Sequence, residues 1–215
     1  MIYLYSGTPG SGKSLHTASK IYWWLRNNRP CICNFYINTS LIWKWGPNKN
    51  KMLPFYMVDN DALTPELLVE FSRNYFTSRG KPVKEGSILL VIDECQLLFN
   101  AREWQKTGRG QWLSFFTQHR KYGYDIVLVA QFDRMIDRQI RSLIEYEYVH
   151  RKVSNYGWKG KALSIAAAGN LFVAVQMWYP MKERVGAEFF KAHKKYYSLY
   201  DTFGDFGALT DTATG

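Results

Sequence analysis

A glycine-rich loop near the start of the chain constrains the fold more than any other stretch. The segment Gly7–Ser14 reads GTPGSGKS and satisfies G-x-x-x-x-G-K-[ST] at every fixed position. The residues Met1–Tyr5 before it indicate a short buried strand, and the residues after Lys13 follow a helical pattern. A glycine-rich turn between a strand and a helix presents backbone N–H groups to a phosphate. The sequence therefore predicts a P-loop in preference to a structural turn.

Each residue type in this loop has a chemical reason. The glycines let backbone N–H groups turn inward around a phosphate, and Lys13 is expected to reach the β and γ oxygens. The Ser14 hydroxyl is expected to bind Mg²⁺. The predicted ligands are therefore ATP and Mg²⁺. The predicted cradle consists of Gly7, Thr8, Pro9, Gly10, Ser11, Gly12, Lys13, Ser14 and Leu15.

Polar side chains follow two predicted central strands. Asp93 comes directly after the apolar run Ile88–Ile92, and ligands in such sheets bind at the carboxyl ends of the strands. Asp93 is therefore the predicted partner of Mg²⁺. Glu94 is the predicted base that orients and deprotonates the attacking water, its alternative being an exposed strand-end charge. Gln131 ends the next strand and is predicted to contact the γ-phosphate or the water.

Arginines beyond Gln131 are candidates for stabilising charge on the transferred phosphate. Arg134, Arg138 and Arg141 share one face of a predicted helix, and Arg120 lies upstream. In oligomeric motors such a side chain comes from the neighbouring subunit. Arg138 and Arg141 are the predicted catalytic arginines, and the alternative is a solvated basic face.

Strand and helix patterns alternate along most of the chain. This alternation predicts an α/β fold, a mostly parallel P-loop NTPase sheet with flanking helices and a late antiparallel β-hairpin. The predicted helices are Ser14–Asn28, Pro65–Ser78, Gln111–Lys121 and Asp133–Ile144. The predicted later strands are Cys31–Ile37, Phe55–Asp59, Ser87–Glu94, Asp125–Gln131, Tyr146–Val153 and Leu171–Tyr179. The hairpin is expected to turn through 154–170.

The net charge, the basic and aromatic stretches and the cysteine content indicate which kinds of binding partner to expect. A net charge of +10 favours an anionic partner such as nucleic acid or an acidic membrane surface, or else reflects a solvated basic surface. Two turn-rich stretches, Trp43–Lys51 and Arg102–Trp112, mix basic and aromatic residues in a way suited to phosphate contacts and base stacking. The alternative for both is a solvated loop with a few buried rings. Three cysteines fit a reducing compartment, with a zinc pair at Cys31 and Cys33 as the alternative.

Four segments together resemble a known family. The stretches IYLYSGTPGSGKS, LLVIDECQ, HRKYGYDIVLVAQFDRMIDRQIR and KKYYSLYDT are similar to the N-terminal ATPase domain of the zonula occludens toxin family, the filamentous-phage gene I assembly proteins. The resemblance runs from Ile2 to about Thr202. It implies that Lys13, Ser14, Asp93 and Glu94 are Walker residues and that Gln131 is a polar sensor.

The resemblance also implies a setting. It implies an FtsK/HerA-like motor that works as a homo-oligomeric ring on the cytoplasmic face of the bacterial inner membrane and drives phage assembly and extrusion. The implied partners are coat proteins or single-stranded DNA, other phage assembly proteins and outer-membrane export proteins. Residues 1–204 are expected to form the ATPase domain. Residues 205–215 are expected to be a flexible tail that leads to a membrane-spanning segment absent from this sequence.

Two other function classes share the loop. A P-loop kinase of a small molecule would usually carry an arginine-rich lid, and the pair Asp93–Glu94 is less expected there. A nucleotide-gated scaffold with little hydrolysis would not need Glu94. The sequence favours an Mg-dependent ATPase over both.

Overall fold

The computed structural model describes residues 1–43, 52–100, 108–155, 157–158 and 171–200. Within these ranges eight strands form one sheet in the order β3-β2-β4-β5-β1-β6-β7-β8. The strands are β1 (Ile2–Ser6), β2 (Cys31–Cys33), β3 (Phe55–Met57), β4 (Ile88–Ile92), β5 (Tyr124–Val129), β6 (Tyr146–Lys152), β7 (Leu171–Trp178) and β8 (Glu183–Lys191). The helices are α1 (Lys13–Arg26), α2 (Pro65–Thr77), α3 (Arg109–Gln118), α4 (Arg138–Arg141) and α5 (Lys194–Tyr197).

The strand that leads into the P-loop lies inside the parallel part of the sheet. β1 pairs in parallel with β5 on one side and with β6 on the other. β5 in turn pairs in parallel with β4, so one strand separates the P-loop strand from the strand that ends before Asp93. The carboxyl ends of β1, β5 and β4 therefore lie at the same edge of the sheet. Beyond β6, the strands β7 and β8 add antiparallel pairs, as the predicted late hairpin requires.

Hydrophobic residues cover both faces of the sheet. Alternate residues of β4 belong to two different cores: Leu90 packs in the cluster with α2 and α3, and Leu89 packs in the cluster with α1. All five β4 side chains are buried. A continuous apolar run is the pattern of a strand that is covered by helices on both faces. The predicted α/β class and the central position of this strand are confirmed.

Local signals explain where the helices begin and end. Thr64 caps α2, accepting a hydrogen bond from the N–H of Leu67 at 3.3 Å, and Pro65 occupies the first turn. In α1 the buried face consists of Leu15, Thr17, Ala18, Ile21, Tyr22, Trp24 and Leu25. Asn28, with φ of 57°, and then Pro30 follow this helix and prevent it from continuing.

The predicted helix Asp133–Ile144 is wrong over its first half. The chain makes one 3-10 turn at Asp133–Met135, becomes extended at Ile136 and forms only the short helix α4. Ile136 is fully buried and bridges to Asn100, while the Asp137 carboxylate caps α4 through the N–H of Gln139 at 2.8 Å. Long-range pairing therefore interrupts the helix.

Two further predictions need correction. The strand predicted to reach Ile37 ends at Cys33, and the one predicted to reach Asp59 ends at Met57. The chain also contains an unpredicted edge strand, β8, and an unpredicted short helix, α5. Most of the predicted turn at 154–170 lies outside the described residues, as does the predicted tail.

Candidate functional site

The P-loop joins the end of β1 to the start of α1. Three of its glycines have positive φ: 143° at Gly7, 73° at Gly10 and 97° at Gly12. Two of them are also crowded, since a Cβ on Gly7 would lie 2.6 Å from the His150 carbonyl oxygen. A Cβ on Gly12 would lie 2.7 Å from the Phe172 ring. The loop therefore requires glycine for both backbone conformation and space.

Lys13 folds back over its own loop. Its Nζ donates to the carbonyl oxygen of Gly7 at 2.6 Å and to that of Thr8 at 3.2 Å. Partial burial lowers the pKa of Lys13, while the negative charges of Glu94 and Asp93 act in the opposite direction. Two carboxylates and one ammonium group thus share a single electrostatic neighbourhood at the loop.

Asp93 and Glu94 follow the end of β4. Burial raises the pKa of Asp93 to about 6, and the charge of Glu94 adds to this effect, while the Glu94 N–H donates to the Asp93 Oδ1 at 2.8 Å. The hydroxyl of Tyr200 donates to the other oxygen of Asp93. Glu94 is exposed and adopts a left-handed conformation with φ of 46°, which is uncommon for residues other than glycine. Such strained backbone recurs at functional sites.

Asn34 holds the Asp93 peptide in place, a role that sequence analysis missed. The Asn34 Oδ1 accepts from the N–H of Asp93 at 2.7 Å, and its Nδ2 donates to the Asp93 carbonyl oxygen at 2.9 Å. The same Nδ2 also donates to Asn60 at 2.8 Å. A single asparagine after a strand carries no local signal, because its partner lies 59 positions away.

Replacing Asn34 with alanine is expected to lower the free energy of unfolding by about 1–3 kcal/mol, because two partly buried backbone groups of Asp93 lose their partner. Urea denaturation measures this change. The control is Asn27→Ala, since Asn27 is exposed and its side chain donates to the Trp23 carbonyl oxygen of its own helix, and a change below about 0.5 kcal/mol is expected there. Equal effects of the two substitutions would contradict the assigned role of Asn34.

Gln131 lies beside the P-loop, at the end of β5. Its carbonyl oxygen accepts from the N–H of Gly7 at 3.1 Å. Gln131 also lines a cavity of about 510 Å³ together with Thr8, His150 and Lys152. The structure therefore brings Gln131 to the loop, as the order of the strands requires.

The predicted arginines do not join this cluster. Arg134 is on a separate 3-10 turn, so it shares no helical face with Arg138 and Arg141. Within the described residues, none of these three lines either cavity beside the loop. Arg120 pairs with Glu145 at 2.7 Å, next to Ile2 at the amino ends of the strands, the opposite edge of the sheet from the loop.

A polar network that is buried at Ser6 and Glu147 and exposed at Lys182 supports the first residues of the loop. The Ser6 hydroxyl donates to Glu147 at 2.7 Å. The Lys182 Nζ, from the turn between β7 and β8, donates to Glu147 at 3.1 Å and to Asp133 at 3.3 Å. The hairpin turn is thereby tied both to the residue before Gly7 and to the segment after Gln131.

Two histidines pack behind the loop. His150 donates from Nδ1 to the Ser6 carbonyl oxygen at 3.1 Å, so its Nε2 accepts from the Nδ1 of His16 at 2.8 Å. Burial lowers the pKa of His16 to about 3 and that of His150 to about 4. Both rings are therefore neutral at pH 7 and act as a polar support.

The stretches predicted to touch cargo lie mostly outside the described residues. Of Trp43–Lys51, only Trp43 is described, and it is exposed. Of Arg102–Trp112, residues 108–112 are described. Trp112 is buried against Phe99 and Phe116, so it is a core residue and not a stacking platform. Arg109 pairs with Asp137 at 3.6 Å.

The structure also bears on the alternative of a zinc site at Cys31 and Cys33 and on membrane-spanning helices. Cys31 and Cys33 are buried on β2 with their Sγ atoms 3.5 Å apart. Among the described residues, no group of three or more His, Cys, Asp or Glu side chains is arranged to hold a metal ion. No helix in the described ranges combines the length and apolarity needed to cross a bilayer.

Several solved structures share this fold, including the following three. The N-terminal domain of zonular occludens toxin from Neisseria meningitidis has a TM-score of 0.54 and 21% identity, covering 93% of this chain and 98% of that one. The genome packaging NTPase B204 of Sulfolobus turreted icosahedral virus 2, in complex with ATP-gammaS, has a TM-score of 0.52 and 15% identity, covering 89% and 97%. The DNA-packaging ATPase B204 of Sulfolobus turreted icosahedral virus has a TM-score of 0.52 and 13% identity, covering 89% and 97%. The chain therefore has a P-loop NTPase fold.

Sequence relatives give the family. The Gene 1 protein of Enterobacteria phage M13 is 30% identical over 158 residues, covering 69% of this chain and 41% of the phage protein. The Gene 1 protein of Salmonella phage IKe is 27% identical over 173 residues, covering 79% and 46%. The chain thus spans less than half the length of these curated relatives. A profile of the Zonular occludens toxin (Zot) family matches residues 1–204 of the 215, and this chain accordingly belongs to the Zot family.

Proposed function

We propose that this chain is the ATP-hydrolysing motor domain of a filamentous-phage assembly protein. The observation that carries the proposal is the meeting of Lys13, Asp93 and Glu94 at the carboxyl edge of the sheet, where both carboxylates act on the charge of Lys13. A phosphate cradle beside two carboxylates is the arrangement that hydrolysis of a nucleoside triphosphate needs. Family membership and the likeness to Gene 1 proteins support the phage-assembly role.

The donor set fits Mg²⁺. This ion prefers oxygen ligands, and Ser14 and Asp93 would hold it through a hydroxyl and a carboxylate oxygen. Burial penalises the negative charge of Asp93, and a nearby cation relieves that penalty. When bound, the ion would neutralise negative charge on the phosphate oxygens.

The other site residues have separate roles in binding the phosphates and in hydrolysis. The N–H groups of Gly7–Leu15 surround the phosphates, and Lys13 moves from its own loop carbonyls to the phosphate oxygens. Glu94 orients the attacking water and accepts its proton. Gln131 donates to the γ-phosphate or to the water from its place beside Gly7.

The setting belongs to the same proposal. The domain works as a homo-oligomeric ring at the cytoplasmic face of the inner membrane, and a neighbouring subunit supplies Arg138 or Arg141. This assignment agrees with the absence of these arginines from the cavity linings in the described part of a single chain. The cargo is coat protein or single-stranded DNA. The net charge of +10 on this chain favours contact with the negatively charged DNA backbone. Other assembly proteins and outer-membrane export proteins complete the machine.

Steady-state ATP hydrolysis as a function of protein concentration tests the proposal. Specific activity is expected to rise with concentration, because the site is completed between subunits, and to vanish in Lys13→Ala. Mixing Lys13→Ala with Arg138→Ala or with Arg141→Ala is then expected to restore activity for the arginine that acts on a neighbour. Constant specific activity would favour a self-sufficient site such as that of a small-molecule kinase. Nucleotide binding without hydrolysis at any concentration would favour a nucleotide-gated scaffold.

A further inference from the structure

An aromatic cavity of about 450 Å³ adjoins the P-loop. The loop residues Gly10–Leu15 line it together with four aromatic residues, Phe172, Tyr196, Tyr197 and Tyr200. This cavity shares no residue with the one that Gln131 lines. Its volume falls in the range of small-molecule sites, which are mostly apolar clefts with a few polar groups.

The Phe172 side of the cavity is fixed against the loop. The Phe172 ring packs so closely on Gly12 that a Cβ there would lie 2.7 Å away. Phe172 also stacks on Phe190 of β8, with 5.7 Å between ring centroids and planes 19° apart. This ring is buried and held by the hairpin, so it forms a rigid apolar surface beside the loop.

The opposite side is formed by residues 193–200, which we call the C-terminal segment. The Trp23 Nε1 donates to the Tyr196 hydroxyl at 3.2 Å, and the Asn38 N–H donates to the Leu199 carbonyl oxygen at 3.0 Å. The Tyr200 ring packs on Phe35 with centroids 4.9 Å apart. These contacts hold the C-terminal segment across α1 and next to the loop.

Tyr197 differs from its neighbours. The residue is 49% exposed, and within the described ranges its side chain has neither a hydrogen bond nor a ring contact. A half-exposed aromatic residue that lines a cavity beside a phosphate loop is suited to stack on another flat ring.

We propose that this cavity binds the base of the nucleoside triphosphate, with Tyr197 stacking on the base and Phe172 closing the apolar side. The inference rests on the proposed function, because the phosphates held at Lys13 and Ser14 bring the attached nucleoside to the adjoining cavity. The same contacts predict low selectivity between bases. The hydroxyls of Tyr196 and Tyr200 are already bonded, to Trp23 and Asp93. Stacking without polar readout tolerates different bases.

Calorimetric titration with ATP, GTP and inorganic tripolyphosphate, each with Mg²⁺, tests the site. ATP and GTP are expected to bind within about tenfold of each other and more tightly than tripolyphosphate. Tyr197→Ala is expected to weaken both nucleotides by about 5- to 150-fold and to leave tripolyphosphate unchanged. Tyr197→Phe is expected to retain nucleotide affinity. The control is Tyr56→Ala, since Tyr56 is 44% exposed on β3 and lines neither cavity beside the loop.

Each contrary result has a distinct meaning. Tripolyphosphate that binds as tightly as ATP, or an equal loss of both in Tyr197→Ala, would overturn the base site and leave the phosphate site intact. A preference of more than about 100-fold for ATP over GTP would overturn the inferred low selectivity. Absence of binding by all three ligands would overturn the base site and the proposed function together.

Discussion

Replacing Glu94 with glutamine is expected to slow ATP hydrolysis by about 100- to 10,000-fold, because the amide cannot accept the proton of the attacking water. Nucleotide binding is expected to persist, since Lys13 and the loop N–H groups are unchanged. The exposed Glu94 side chain accepts a hydrogen bond from Gln96, and a glutamine at this position can still accept it, so the fold tolerates the uncharged replacement. Phosphate release and equilibrium binding of ATP, measured on the same preparation, separate the two effects.

The control for this substitution is Glu85→Gln. Glu85 is also exposed and lines neither cavity beside the loop, so its loss is expected to leave hydrolysis unchanged. Hydrolysis at the wild-type rate in Glu94→Gln would remove Glu94 from the reaction. Loss of binding together with hydrolysis would instead assign Glu94 to holding the nucleotide.

Gly7→Ala is expected to abolish nucleotide binding and to lower the free energy of unfolding by about 3 kcal/mol or more. The new Cβ would lie 2.6 Å from the His150 carbonyl oxygen and 2.7 Å from the Ser11 hydroxyl oxygen. The φ of 143° adds strain for a residue with a side chain. Because β1 pairs with β6 up to Ser6 and Val149, immediately before this contact, the two backbones cannot move apart here without loss of sheet hydrogen bonds. Urea denaturation and ATP titration measure the two effects.

The control is Gly80→Ala, which tests the effect of backbone strain without a steric clash at the new Cβ. Gly80 also has positive φ, 58°, but its Cβ would meet nothing within 4 Å. A loss of only about 1 kcal/mol and normal ATP binding are expected there. If Gly7→Ala were no worse than Gly80→Ala, the close approach of His150 to the loop would be of no consequence for the site.

The parts of the fold that sequence predicted are those with local signals. The run Ile88–Ile92 and the glycine loop can each be recognised from a few consecutive residues. The α/β class that they indicate is confirmed. The membership of the Zot family, inferred from four segments of which one contains the loop and another most of this run, is confirmed as well. The order of β4, β5 and β1 then brings Asp93, Gln131 and Gly7 to one edge.

The parts that sequence did not predict depend on distant partners. Asn34 acts on Asp93 through a contact that no spacing rule encodes. The helix expected at Asp133–Ile144 has suitable spacing, but Ile136 pairs with Asn100 instead. The edge strand β8 is mostly exposed, so it lacks the apolar alternation by which strands are recognised. The roles of the site residues in catalysis stay predictions.

The path of the C-terminal segment has a mechanical consequence. β8 forms one border of the sheet, yet eight residues later Leu199 and Tyr200 lie beside Asn38 and Asp93, two strands from the other border. The C-terminal segment therefore ends at the Asp93 carboxylate, to which the Tyr200 hydroxyl donates. A shift of the C-terminal segment by the length of one hydrogen bond would break the contact between Tyr200 and Asp93, so the position of this segment and the hydrogen bonding of Asp93 are mechanically coupled.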